Sequence, residues 1–204
     1  DVSFAEREVL DINEEAFRRD SLEVNLYCYL LTPVHAYLLQ SSKTIYTDID
    51  EEVSKEAIAE YIAESMEPSI PYIGPGSTVK SICKKIKLNC TLLGVDVVLN
   101  GKLLVRDASE RDLLEVIKMY GRAKVIVSPI GRQGFIFGRG NQQISPLILQ
   151  HISKDDIIVV STEKKARELT RLLVDTGDEK INSKLRGYVK VLVNYNKFLV
   201  MKVE

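Results

Sequence analysis

Two stretches of the sequence combine glycine with side chains able to hold an anion. The first is Ile73-Gly74-Pro75-Gly76-Ser77-Thr78, set between an apolar run at 70–73 and an amphipathic stretch at 77–86. Glycine lets the backbone turn tightly and approach a ligand, and a helix starting there offers unpaired N–H groups and a positive dipole end. Ser77 and Thr78 add hydroxyls. The pattern suits a phosphate, or a phosphate-bearing nucleotide or sugar. It equally suits a plain strand-to-helix turn with Ser77 as N-cap.

The second stretch, residues 128–143, follows an apolar strand pattern at 123–127. It carries four glycines within ten residues (Gly131, Gly134, Gly138 and Gly140), then Arg132, Arg139 and the run Asn141-Gln142-Gln143. Arginine forks suit phosphate, and side-chain amides can read a base or a carboxamide. Such a loop at a strand's carboxyl end is placed to meet a ligand and to tighten around it. The competing reading is a hairpin whose Phe135 and Phe137 plug a core.

Carboxylates form a third set. Asp96 interrupts the apolar run 92–99, and Asp175 and Asp178 flank Thr176-Gly177. A carboxylate inside a strand either faces solvent or is buried for a purpose, such as holding a ribose hydroxyl, binding a metal or acting as a base. Asp107 fits a helix start, Lys84, Lys85 and Lys87 fit a solvated helix face, and His151 fits a helix end at the surface. No Ser-His-Asp or Cys-His arrangement appears, and no metal site is expected.

The elements that must position these groups follow from periodicity. Strands are expected at 5–11 and 22–31, the second with Leu22, Val24, Leu26, Cys28 and Leu30 on one face, with a short helical turn at 14–19 between them. Residues 32–48 read as irregular, and 51–66 as a helix capped by Asp50, with Val53, Ala57, Ile58, Tyr61 and Ile62 inward. Beyond Pro68 the pattern alternates: strand 70–73, helix 77–86, and strands 92–99 and 102–105 around the type I′ dipeptide Asn100-Gly101. A capping-box helix then starts at Ser109/Asp112, followed by strand 123–127 and a helix opened by Ser145-Pro146 over 147–152. Strand 157–160, a helix capped by Thr162, strand 172–174, a helix at 181–185 and a hairpin of 188–193 with 198–203 complete the chain. Strands alternating with helices imply an α/β fold of parallel βαβ units. The first two strands and the last hairpin are expected to add an antiparallel β portion, as a second, smaller sheet. Two regions follow: an N-terminal antiparallel β segment at 1–48, and an α/β nucleotide-binding domain with a C-terminal β-hairpin at 49–204.

Composition bounds the partners. The chain has 204 residues, 45% hydrophobic and 28% charged, with 28 basic and 29 acidic side chains and a net charge of -1. That balance gives no long-range pull on polyanions, which argues against nucleic-acid or membrane-surface binding. Cys28, Cys83 and Cys90 lack CxxC spacing and read as free thiols of a reducing, cytoplasmic compartment. No run approaches the roughly 20 apolar residues of a membrane helix, and no signal-peptide pattern opens the chain. The chain begins at Asp1 without methionine, so the expectation is a piece of a longer product.

Several of these segments carry a resemblance. Gly74–Pro75-Gly76-Ser77-Thr78, Leu93-Gly94-Val95-Asp96-Val97-Val98, Ser128-Pro129-Ile130, the run from Gly134 to Gln143, and Leu173-Val174-Asp175-Thr176-Gly177-Asp178 resemble the ATP-NAD kinase-like proteins and their AcoX-type relatives. The resemblance implies a C-terminal nucleotide-binding part of an enzyme that phosphorylates NAD to NADP, using ATP or polyphosphate with magnesium. Gly76-Ser77-Thr78 and Pro129-Ile130 look like the family's two NAD-binding segments, in the same order. It also implies an N-terminal kinase domain or subunit carrying a Gly-Gly-Asp-Gly motif, which this sequence lacks, and a homo-oligomer. The nucleotide- or phosphate-binding set is then Gly74, Gly76, Ser77, Thr78, Asp96, Gly131, Arg132, Gly134, Arg139, Asn141, Gln142 and Asp175, with catalytic residues unassigned. The strand–glycine turn–helix also resembles the phosphate turns of ribose-5-phosphate isomerase-like sensors, the alternative being a sugar-phosphate-binding regulatory domain.

Overall fold

The computed structural model describes residues 3–13, 15–16, 23–34, 49–91, 94–131 and 133–204. Most of the expected turn at 14–19, most of the segment 32–48, Leu22, the first two residues of the expected strand 92–99 and Arg132 lie outside them. The chain divides into two compact units, Asp1–Tyr46 and Thr47–Glu204.

In the first unit β1 (Ser3–Ile12) pairs antiparallel with β2 (Val24–Val34), in register from Ser3↔Val34 to Ile12↔Val24 with a bulge at Val9/Leu10. The period-2 face is present but uncovered: Val24, Leu26 and Leu30 are all exposed. Strand β2 runs on through Pro33, farther than the sequence pattern implied.

The second unit is a three-layer α/β sandwich. Its strands are β3 (Tyr72–Pro75), β4 (Val95–Leu99), β5 (Lys102–Val105), β6 (Lys124–Val127), β8 (Ile157–Val160), β10 (Gly187–Asn194) and β11 (Lys197–Val203), in the order β11-β10-β8-β6-β3-β4-β5. Strands β3, β6, β8 and β10 are parallel neighbours, while β4, β5 and β11 join antiparallel. The last hairpin is thus an edge of the main sheet, not part of a second sheet with β1 and β2. Val191↔Val159 and Leu192↔Val160 tie it to β8, a pairing that no local pattern announces. Strands β7 (Phe135–Phe137) and β9 (Leu173–Val174) form a separate parallel pair.

Alternation along the strands sorts the core. Ile73, Val125, Val127, Val159, Val191 and Val193 face one way; they pack under α3 (Glu110–Tyr120), α4 (Pro146–Leu149), α6 (Glu179–Leu185) and β7. Tyr72, Ile126, Val160 and Leu192 face the other way, under Ile58, Ala59 and Ile62 of α1 (Ile49–Ser65) and Val79, Ile82 and Cys83 of α2 (Gly76–Lys85). Both faces of a mostly parallel sheet are covered, as continuous apolar strands require.

Local signals hold where they are strongest. Asn100 and Gly101 both have positive φ, 50° and 68°, as a type I′ turn demands. Ser109 and Asp112 form a capping box, and Gly121 ends α3 at φ 72° with its N–H on the Ile117 carbonyl. The cysteines correct the sequence reading. Lys87, at φ 60°, reverses the chain after α2, and the Leu88 N–H returns to the Cys83 carbonyl at 2.8 Å. This left-handed helix end brings the Cys83 and Cys90 Cα atoms to 6.0 Å, and the two sulfurs are joined as a disulfide; Cys28 is free and exposed.

Candidate functional site

Strands β3, β6, β8 and β10 end along one edge. From β3 the chain builds β4 and β5 on one side and then β6, β8 and β10 on the other. The boundary between β3 and β6 is where strand order reverses, and open α/β sheets place ligands outside the carboxyl ends of the strands at such a point. Segment 74–78 stands there. Pro75 precedes α2 as N-cap with no side-chain cap hydrogen bond, and no acidic residue occupies the first turn. The first N–H groups of α2 point outward from a helix start with no intrahelical acceptors. Gly76 has φ +85°, and a Cβ built there meets nothing within 4 Å. Gly74 is the reverse case. Its Cβ would come to 2.8 Å from Val79 Cγ2 and 3.3 Å from the Ile126 carbonyl oxygen, so glycine lets α2 and β6 close on β3.

The next two strand ends add groups that sequence reasoning missed. Ser128 follows β6, and Ser161 and Thr162 follow β8, ahead of α5 (Glu163–Glu168). Lys165 Nζ reaches across to Ser128 Oγ at 3.4 Å and donates to the Pro129 carbonyl. An ammonium therefore stands at the strand end beside the glycine turn. Thr162 is 5% exposed and its Oγ1 has no hydrogen-bond partner, a rare state for a buried hydroxyl. Lys165 belongs to the charged run Glu163-Lys164-Lys165, which reads as a solvated helix face. Only strand order places it at an edge.

Residues 128–143 leave this edge and fold back over the sheet. Ile130 bridges Phe135, closing a tight turn around Gly131 (φ 46°) and Gly134 (φ 80°). Ile136 and Phe137 are buried in the core, so the plug reading holds for Phe137; Phe135 is half-buried beneath the Arg139 guanidinium, 4.4 Å from its ring centroid. Arg139 also pairs with Asp175 at 3.3 Å. Asn141 is 4% exposed; its Nδ2 donates to the Ile136 carbonyl, its Oδ1 has no partner, and Gln142 is exposed. Asp175 follows the segment 172–174, which pairs with the last residues of β11, level with Gly187 at the start of β10. The turn at 74–78 lies off the opposite end of the parallel strands. The structure thus joins Arg139 to Asp175 and places both apart from the glycine turn by strand direction. Asp178 caps α6, accepting from the Lys180 and Ile181 N–H groups.

Asp96 pairs with Gly74 across β3 and β4, but its carboxylate turns to its own chain. It is 2% exposed and accepts from Thr91 N at 2.6 Å, Thr91 Oγ1 at 2.9 Å and Asp107 N at 3.0 Å. Among the described residues no three His, Cys, Asp or Glu side chains come together to hold a metal ion, and no helix is long and apolar enough to cross a membrane.

Charge at the edge also links α5 to the last hairpin. Glu163 is held below the usual carboxylate range, chiefly by the hydrogen bond from Lys197 at 2.7 Å and then by Arg167. A depressed folded pKa stabilises the fold above the ordinary carboxylate value and stops doing so as pH falls through the folded one. Glu163→Gln is expected to lower the denaturation midpoint at about pH 7, with a deficit that shrinks progressively as pH falls below the ordinary carboxylate range. Denaturant titrations at descending pH check this; a deficit that does not shrink in acid would locate the loss elsewhere.

A three-layer α/β domain with a glycine turn opening a helix at its switch point belongs to the broad class of open α/β folds, which place ligands outside the carboxyl ends of their strands. Within that class, the family model of the ATP-NAD kinase C-terminal domain matches residues 70–203, and the chain belongs to this family. The match runs from just before β3 to the end of β11 and so covers the whole seven-stranded sheet. Comparisons with curated proteins and with solved structures find no match.

Proposed function

We propose that this chain binds NAD at the carboxyl edge of the sheet and presents it to a kinase domain or subunit that phosphorylates it to NADP. The open helix start at Gly76, at the switch point and inside the family match, supports this most directly. In this reading a dinucleotide phosphate sits on the N–H groups of Gly76, Ser77 and Thr78, with Gly74 allowing the close approach of α2 to β3. Lys165 supplies a cation at the neighbouring strand end, and the buried Thr162 hydroxyl an unused donor and acceptor. Arg139, Asn141, Gln142 and Asp175, on the returning loop, serve a more distant part of the ligand or hold that loop's shape.

Phosphoryl transfer is mostly positioning and charge stabilisation around the phosphates. The Gly-Gly-Asp-Gly motif that the family resemblance ties to this step is not in the sequence. Magnesium, with no cluster of ligands among the described residues, would arrive bound to the donor's phosphates.

One calorimetric series tests the reading. The chain is expected to bind NAD, to make no NADP from NAD with ATP or polyphosphate and magnesium, and to lose about tenfold in affinity on Gly76→Ala. The methyl group would intrude on the phosphate position, while its positive φ costs about 1–2 kcal/mol of stability. Unchanged NAD affinity in that variant sinks the site. Tighter binding of ribose 5-phosphate than of NAD would favour a sugar-phosphate sensor.

A further inference from the structure

The seven-stranded sheet ends in two edge strands, β5 and β11. β5 has four residues, with Lys102 at its start and Arg106 just past its end, the short charged form in which an edge resists an added strand. β11 has seven residues and no proline, and its register with β10 runs unbroken from Gly187↔Val203 to Leu192↔Phe198. No bulge turns this edge away before the end of the hairpin.

Part of the β11 edge is already used. The Leu172 N–H donates to the Lys202 carbonyl at 2.8 Å, and the Glu204 N–H donates to the Leu172 carbonyl at 2.9 Å. Lys202 and Glu204 therefore turn these peptide groups away from β10. Direction alternates along a strand, so Phe198 and Val200 turn theirs the same way. Among the described residues nothing pairs with the backbone N–H and C=O groups of Phe198 and Val200. Their side chains are 41% and 67% exposed, and Tyr188, on the same face of the neighbouring strand, is 71% exposed. A bare edge thus adjoins an apolar patch. The lysines that could guard it are engaged within the chain: Lys197 with Glu163 at 2.7 Å, and Lys202 with Glu204 at 2.8 Å.

We infer that β11 takes an antiparallel β11 from a second copy of this chain, with a twofold axis at Leu199. The family resemblance implies association without naming a surface; this edge supplies one. With the axis there, Phe198 of each copy lies opposite Val200 of the other, and the bare N–H and C=O groups of both residues bond reciprocally. The side chains then form aromatic to β-branched pairs across the strands, and Val200 is covered. Lys202 lies opposite Asn196, and Lys197 opposite Met201, so no like charges meet. Neighbouring registers fit less well. An axis at Val200 sets Phe198 of the second copy against Lys202, where the segment 172–174 already lies. An axis at Phe198 sets Val200 against Asn196, which stands in the hairpin turn at φ 49°.

The test is sedimentation equilibrium of the 204-residue chain. A reversible dimer is expected, and Val200→Pro and Val200→Lys are each expected to raise its dissociation constant about tenfold or more. Proline here removes an outward N–H and no bond to β10, so the melting temperature is expected to stay near the parent's. Lysine keeps that N–H and sets a charge into the apolar pair. Leu104→Lys, on the opposite edge strand, is expected to leave the dimer within about twofold. Crosslinking reads the register. In a Cys28→Ser background, Leu199→Cys is expected to oxidise to a covalent dimer, because residues facing each other between hydrogen-bonded pairs have Cα atoms about 4.5 Å apart, within disulfide reach. Leu104→Cys in the same background is expected to form none. A monomeric parent would overturn the inference, as would a dimer that keeps its strength in both Val200 variants, or equal crosslinking at Leu199 and Leu104.

Discussion

Replacing Gly138 with alanine is expected to cost more than about 4 kcal/mol and to lower the melting temperature by about 10 °C or more. A Cβ at this position would stand 1.8 Å from the Asp175 carbonyl oxygen and 2.2 Å from its carbon. Both are backbone atoms, and neither can rotate away. The residue also has φ +91°, which disfavours any side chain. The Asp175 N–H donates to the Phe137 carbonyl at 3.2 Å, one residue before the contact, so relieving the clash means separating β7 from β9. Phe137, 0% exposed, would be pulled from the core with them. Gly140→Ala provides the comparison. Its φ is +70°, but its Cβ would meet only the Ile130 side chain, Cδ1 at 2.9 Å and Cγ1 at 3.7 Å, atoms that can move aside. That variant is expected to lose about 1–2 kcal/mol. Thermal melts of the pair read the difference directly, and equal losses would mean that the crossing at Asp175 is not the constraint.

The contrast between these glycines shows where sequence reading stopped. Four glycines in a short loop suggest backbone freedom for a ligand. Gly134 and Gly138 are instead required by carbonyls of Arg171 and Asp175 that cross at close range from a distant segment, and composition holds no trace of that crossing. Gly76, which opens on free space, has the same residue type and a similar φ. Features whose partners lie within a few residues were legible: the Asn100-Gly101 turn, the Ser109/Asp112 capping box, and the apolar strands β6 and β8. Features that depend on which strand lies beside which were not. The hairpin β10–β11 is antiparallel within itself, and only its register with β8 makes it part of the main sheet. Lys165 reads as a solvated charge until the order β8-β6-β3 sets it beside the glycine turn. The Cys83–Cys90 bond depends on a left-handed Lys87, a conformation that a lysine in sequence does not advertise.

Asp96→Ala is expected to destabilise the chain by about 3 kcal/mol while leaving the NAD affinity of the folded protein within about twofold. The carboxylate sits inside β4, and all its hydrogen bonds in the structure go to the polypeptide: two from Thr91 and one from Asp107. These residues lie on either side of the hairpin β4–β5, so one buried side chain fixes both its entry and its exit. Gly94 makes room for the arrangement, since a Cβ there would fall 2.1 Å from Asp107 Oδ1. Removing the carboxylate leaves partly buried N–H groups without acceptors, at about 1–3 kcal/mol each, reduced where water can enter beside exposed Asp107. Asp96→Asn keeps one acceptor oxygen but offers N–H where donors already converge, and is expected to fall between parent and alanine variant. A ribose-binding carboxylate would behave in the opposite way. Its loss would spare the melting temperature and cost about tenfold or more in affinity, because the ligand hydroxyl would lose a charged acceptor. Denaturant midpoints and NAD titrations on the same preparations separate these outcomes, and the geometry around Thr91 and Asp107 places the loss in stability.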